Sequence, residues 1–329
     1  MQEIHEQLAL WGRETLLRNA EAIPDSAFRR REVRLIESAA AVMGELTEDD
    51  LSFVHSGLCQ TALPHQRLAS NDAIWQRSSG RFHLMISPGV IRNKEGQAVR
   101  VGVPYGTRAR LIMIFLQSEG VKSRTVLLGS SMAAWVRSLG LAVSGGPRGT
   151  IQSIREQALR IARCEFTMQW DAANSHNGSQ TIIKDQRLVS GMSLWAAPED
   201  GHDEKWSTTV ELAPDFHAHL RDHAVPLAKD AIAFLKDNSL GLDLYTLLAY
   251  RLQRLERPIL MRWSMLAQQT GSDVARSSHL SQRVKSVLPD VLAVYPDAKV
   301  ELTRYGLKLH PSKPPIPKAM VKGMRLAVG

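Results

Sequence analysis

One order of hydrophobic periodicities occurs twice in this chain, and no other feature restricts the fold as much. The first copy starts at Gly106. Residues 108–120 carry Leu111, Ile112, Phe115 and Leu116 on one helical face, and 125–128 form a short apolar run of strand type. Ser130 and Ser131 are capping residues ahead of Met132, Trp135, Val136 and Leu139, and Gly140 ends that short helix. A glycine turn, 144–149, leads to Thr150 and a longer helix with Ile151, Ile154, Ala158 and Ile161 inside. Strand-like runs follow at 164–170, 180–183, 188–195 and 206–212, separated by polar loops.

The second copy opens with a linking helix from about 227 to 236 and a Leu- and Tyr-rich helix over 241–255. Residues 259–261 read as a strand, 265–269 as a short helix ending at Gly271, and 277–288 as a helix with Leu280, Val284, Val287 and Leu288 inward. A hairpin closes the copy: 299–304, a turn at Tyr305-Gly306, then 307–310. Helix–strand–helix–turn–helix–hairpin is the order of a winged helix. The repeat is one of topology, not of sequence identity. The expected fold is therefore α+β and helix-rich, with two tandem winged-helix domains and an N-terminal helical extension. The expected division is 1–50 for that extension, 51–225 for the first winged-helix domain with an irregular β segment before it, 226–312 for the second, and 313–329 for a flexible basic tail.

Charge sorts the two copies. Among 329 residues, 41 Lys+Arg face 33 Asp+Glu, a formal net charge of +8. Residues 1–225 hold 25 of each sign, whereas 226–329 hold 16 basic against 8 acidic residues. A neutral body with a basic last third reads as a module for a polyanion. Two cysteines, Cys59 and Cys164, make no disulfide framework and point to a reducing compartment. The longest aliphatic and aromatic run, 111–116, is far shorter than the ~20 residues that span a bilayer. The N-terminus lacks signal-peptide character. A cytoplasmic location without membrane partners is expected.

In a helix-turn-helix the second helix enters the major groove, about 12 Å wide. On the 277–288 helix, Ser278, Gln282 and Lys285 lie opposite the apolar seam, Arg276 and Ser277 sit at its start and Arg283 flanks the seam. Arg pairs with guanine and Gln with adenine, whereas Ser and Lys more often hold phosphate. The hairpin adds Lys299, Arg304 and Lys308, with Lys313 beyond, as phosphate clamps. In the first copy only Arg148 and Arg155, with Arg160 as a further candidate, are placed to face DNA, and the hairpin loop carries Glu199, Asp200, Asp203 and Glu204. The bland alternative is an amphipathic helix beside a basic hairpin.

Enzymatic motifs are weak. His217-Ala218-His219 follows a helix start at Pro214, so its two imidazoles would diverge. The 145–150 glycine turn lacks the Gly-Lys-Ser/Thr of a P-loop. No catalytic residue, no metal and no cofactor is expected.

Several segments resemble a known family, the RepA-type plasmid replication initiators. Gly102-Val103-Pro104-Tyr105-Gly106, followed by arginines, resembles the lead-in to their first winged helix. Leu128-Gly129-Ser130-Ser131-Met132, Leu139-Gly140-Leu141 and Gly145-Gly146 followed by Ile154-Arg155-Glu156-Gln157 resemble signatures further along. Val225-Pro226-Leu227, Leu242-Asp243-Leu244-Tyr245, Tyr250-Arg251-Leu252 and Trp263-Ser264-Met265-Leu266 resemble the junction into the second. The resemblance covers about 50–315. It implies a non-enzymatic initiator that binds repeated sites (iterons) in origin double-stranded DNA and helps melt an AT-rich segment. It also implies recruitment of the host initiator DnaA and the replicative helicase, homodimerisation chiefly through the first winged helix, autoregulation and plasmid copy control, in a nucleoid- or plasmid-associated protein. The rivals are a winged-helix transcription regulator and a rolling-circle nickase.

Overall fold

The computed structural model describes residues 4–93, 95–173, 179–192, 208–271 and 277–321, with the backbone alone for 172–173, 179–186 and 277–278. The chain forms two compact units. One comprises 1–52, 226–263 and 274–323, the other 53–225 and 264–273, with the last six residues beyond the described part.

Helix α1 (Ile4–Glu21) is broken at Gly12, whose φ of 74° and ψ of 159° lie outside the helical region. Helix α2 (Ser26–Val42) starts where the Asp25 carboxylate accepts from the Ala27 and Phe28 amides at 2.8 Å, satisfying two orphan donors of the first turn. Leu8, Leu16 and Ala20 of α1 pack on Ile36 and Ala39 of α2 and on Ala293. His5 Nε2 lies 3.2 Å from the Leu292 carbonyl, and Arg31 donates to Asp290 at 3.2 Å. The N-terminal helices are thus built into the unit that holds the C-terminal hairpin.

Strand β1 (Leu51–His55), helix α3 (Ser56–Gln60), and strands β2 (Trp75–Ser79), β3 (Phe82–Ser87), β4 (Val90–Arg92) and β5 (Ala98–Arg100) precede the first winged helix. That motif is α4 (Gly106–Lys122), β6 (Thr125–Leu127), α5 (Met132–Ser138), α6 (Thr150–Arg163) and, after an insertion, β9 (Val189–Met192) and β10 (Thr209–Leu212). The insertion is the hairpin β7 (Glu165–Ala173)–β8 (Ser179–Arg187), which joins β2 and β3 in the four-stranded order β2-β3-β7-β8. Of the strand-like runs after α6, the first two therefore serve another sheet, and the wing proper is β9–β10, antiparallel in the order β6-β10-β9. Helix α7 (Pro214–His223) follows, with Pro at its first position.

The linking helix does not begin at 227. Residues 224–228 form strand β11 (Ala224–Ala228), buried at every position and paired with β1. Pro226 disfavours helical backbone at Val225, and a fully buried run suits a strand. Helix α8 (Lys229–Leu235) starts only after it.

The second copy continues through α9 (Ser239–Arg251), β12 (Ile259–Arg262), α10 (Trp263–Gln269), α11 (Ser277–Ala293), β13 (Val300–Leu302) and β14 (Gly306–Leu309). Its sheet order, β12-β14-β13, repeats that of the first copy, and both are antiparallel. Both copies are winged helices by element order and sheet topology. Residues 264–273, however, group with the other unit: Gln269 and Gly271 carbonyls accept from the Ala62 and His65 amides at 2.8 and 3.0 Å.

Helix α11 does not end at Leu288. It runs through Pro289 to Ala293, because Val287, Leu288 and Val291 are all buried and their packing outweighs the hydrogen bond that proline cannot donate. The expected flexible tail is also ordered at its start. Ile316 is fully buried, Tyr295 Oη donates to the Lys313 carbonyl at 2.8 Å, and the Ser312 amide donates to Leu252 at 3.2 Å. Residues 322–329 of that tail lie outside the described residues. Among the described residues, no helix is long and apolar enough to cross a membrane.

Candidate nucleic-acid interface

Helix α11 divides cleanly. Leu280, Val284 and Val291 are fully buried, while Gln282, Arg283, Lys285 and Ser286 are exposed. Apolar positions four and seven apart seat the helix on its core and leave the opposite face to solvent. Neither Arg283 nor Lys285 makes an ion pair among the described residues, so both cations stay available. Ser277 and Ser278 open the helix, described by backbone alone, and Arg276 lies outside the described residues.

The hairpin beside it presents Lys299 and Arg304 exposed. Lys308 is not free: its Nζ donates to Glu301 at 3.2 Å across the β13–β14 pair, and that hydrogen bond holds the Glu301 carboxyl below its ordinary value. Exposed pairs of this kind are worth little, and phosphate would compete for Lys308. Lys313 is exposed, its carbonyl engaged by Tyr295. Sequence reasoning passed over Arg262, exposed on the same outward sheet face as Lys308, and the exposed Tyr305 in the turn. The alternation over 259–262 carried the signal for Arg262.

Helix α6 of the first copy is a different object. Arg160, expected to be near DNA, is buried: it donates to Glu156 at 2.8 Å and to the Val103 carbonyl at 3.0 Å, and lies 5.2 Å from the Tyr105 ring centre. Arg163 donates to the Val90 carbonyl, Arg108 to Ser153 Oγ, and the Tyr105 amide to Gln157 Oε1. Arg155 is half-buried, its Nε without a hydrogen-bond partner among the described residues, beside a cleft of about 480 Å³ lined by Gly145, Gly146, Pro147, Ile151 and Gln152. Arg148 is exposed in the preceding turn. That turn is held by Ser144 and Thr150: the Ser144 amide donates to Thr150 Oγ1 at 2.8 Å and the Thr150 amide to Ser144 Oγ at 2.9 Å. It is the turn between two helices. The acidic loop residues Glu199, Asp200, Asp203 and Glu204 lie outside the described residues.

The lead-in motif has a structural cause. Gly106 takes φ of 75°, a left-handed conformation that a side chain would strain. Buried Arg110 then donates to the Leu63, Pro64 and Gly106 carbonyls at 2.6, 3.1 and 2.9 Å, tying the start of α4 to the preceding loop. His217 and His219 diverge on α7. The Gly57 amide donates to His55 Nδ1, so His55 Nε2 carries the proton and donates to His219 Nδ1 at 2.8 Å. His217 lies apart, its pKa lowered by burial and then by Arg221. The described residues contain no group of three or more His, Cys, Asp or Glu side chains able to hold a metal ion.

Fold and site together define a tandem winged-helix protein in which the helix of one copy keeps Arg283 and Lys285 exposed and that of the other buries Arg160. Residues 103–263, from the lead-in of α4 to the first residue of α10, match the family RepA_C, described as plasmid encoded RepA protein. The match lies within the part of the chain whose motifs resemble that family. No curated protein matches the chain in sequence. Two solved structures are similar to it at 15% identity: a selenomethionine derivative of domains 2 and 3 of RctB (TM-score 0.47, covering 80% of this chain and 99% of that one) and RctB domains 2-3 (0.46, 77% and 96%).

Proposed function

We propose that this protein starts plasmid replication by binding repeated sites in origin double-stranded DNA, with α11 in the major groove and the β13–β14 wing on the flanking backbone. The observation that carries the reading is the exposed set Gln282, Arg283 and Lys285, with no ion pair to either cation among the described residues, on a helix whose other face is buried. Arg148 and Arg155 supply a secondary contact from the first copy. By family resemblance the protein then promotes opening of an AT-rich segment, recruits DnaA and the replicative helicase, self-associates as a homodimer, regulates its own gene, and works in the cytoplasm on the plasmid. It acts without catalysis, metal or cofactor. Footprinting on the plasmid that carries the gene tests this. Protection of direct repeats about two helical turns apart, beside an AT-rich tract, is the expected result. A single protected palindrome at a promoter would make it a transcription regulator, and nicking of supercoiled origin DNA in Mg²⁺ or Mn²⁺ would make it an enzyme.

A further inference from the structure

The tip of the second wing carries apolar surface that the fold has no use for. Tyr305 is 65% exposed and Leu302, the last residue of β13, is 41% exposed. The turn that carries Tyr305 is held by its backbone. The Thr303 amide donates to the Gly306 carbonyl at 2.9 Å, and Thr303 Oγ1 accepts from the amides of Tyr305 and Gly306 at 3.2 and 3.1 Å. From the neighbouring element, Trp263 donates its indole Nε1–H to the Arg304 carbonyl at 3.0 Å and its amide to the Tyr305 carbonyl at 3.1 Å. Gly306 is obligatory, since a Cβ there would sit 2.0 Å from the Met261 carbonyl oxygen, where β14 pairs with β12. A two-residue turn is therefore clamped from both sides, and both of its side chains, Arg304 and Tyr305, are exposed. The Arg304 guanidinium lies 5.9 Å from the Tyr305 ring centre, keeping a positive charge beside the aromatic tip.

An exposed ring on a mobile loop is unremarkable, but a ring on a clamped turn is pre-organised for a contact. Two further points select its kind. The turn is narrow, and an apolar tip flanked by a cation suits the minor groove, about 6 Å wide, whose negative potential in A·T tracts attracts arginine. Apolar side chains at such tips enter between base pairs, unstack a step and kink the duplex.

Resting on the reading of this chain as an origin-binding initiator, we propose that Tyr305, backed by Leu302 and Arg304, is a minor-groove wedge. It unstacks one base step beside the site that α11 reads, so the second winged helix bends DNA as well as binding it. This gives the wing a role separate from phosphate clamping, which falls to Lys299 and Lys308.

The test uses the full chain and the duplex repeat protected in the footprint, with 2-aminopurine placed at successive steps and end-to-end energy transfer reporting the bend. Wild type should raise 2-aminopurine fluorescence at one step and shorten the end-to-end distance. Tyr305→Ala should abolish both signals and weaken binding by no more than about tenfold. Tyr305→Phe should retain both, because the wedge needs the ring and not the hydroxyl. Tyr305→Ala that still bends and unstacks the duplex overturns the wedge, and so does wild type that binds the repeat with neither signal. A Tyr305→Ala defect confined to single-stranded oligo-dT would replace the wedge by base stacking. Wild type that binds no duplex repeat at all overturns the initiator reading itself.

Discussion

Helices α6 and α11 occupy the same place in two copies of one topology, yet they use their arginines in opposite ways. In α6 two of the three arginines that follow its first turn hold the protein together: Arg160 is buried against Glu156 and the Val103 carbonyl, and Arg163 donates to a carbonyl of the preceding hairpin, while Arg155 is half-buried. In α11 Arg283 and Lys285 face solvent and make no ion pair among the described residues. A guanidinium that satisfies buried carbonyls has spent its donors, while one facing water keeps them for a ligand. The difference teaches that basic residues at one topological position can serve the fold in one copy and stay available to a ligand in the other.

The largest effect that can break this contrast is the salt dependence. With about 6–10 phosphates contacted from residues 226–329, affinity should fall ~10³–10⁵-fold between 50 and 200 mM salt. Replacing Arg283 and Lys285 together should flatten the slope by about two units. Replacing Arg148 and Arg155 should change it by less, and equal effects would erase the distinction between the copies.

Next in size is Arg160→Ala. It strands the Val103 carbonyl and empties a buried site, while half-exposed Glu156 can rehydrate. We expect a loss of about 3 kcal/mol, read by chemical denaturation, with the salt slope unchanged. A stable Arg160→Ala protein with weakened DNA binding would move α6 into the interface.

The C-terminal cap of α6, Cys164, gives a pH test of similar size. Burial pushes its thiol up from 9.0 to about 11. The unfolded chain therefore releases that proton first as pH rises. Stability from this group is complete below about pH 9 and is lost as pH climbs through about 11, amounting to about 3 kcal/mol at most. Denaturation midpoints at pH 8 and 11 should differ in wild type, and the difference should shrink in Cys164→Ala.

The smallest effect is the most specific. Gln282→Ala should cost about 1–3 kcal/mol on the cognate repeat and relax preference at one base pair. An equal loss on random DNA would reduce Gln282 to a backbone contact.

Much of the fold was legible because it rests on short-range rules. The apolar stripe of 280–288, the capping serine before Met132 and the alternation of the last hairpin each restrict one element locally. The misreadings share one cause. Residues 227–228, the helix beyond Pro289 and the segment around Ile316 took their conformations from burial against distant parts of the chain, against the local hint of a helix, a stop or a tail. The site was legible to the same extent: spacing placed Gln282 and Lys285 opposite the apolar seam of α11, with Arg283 at its flank. It was blind to Arg160 being buried, to Glu301 pairing with Lys308, and to the clamp that makes Tyr305 a fixed tip.

The sequence by itself determined the double order of helices and strands, the basic bias of the last third and the apolar seam of each recognition helix. These follow from side-chain periodicity and composition, which act over a few residues. Only the tertiary structure decided which cations remain available, which hairpin is a wing, and that the first fifty residues pack into the C-terminal unit. Those outcomes depend on which donors meet which acceptors across long sequence separations, and a buried arginine and an exposed one are written with the same letter.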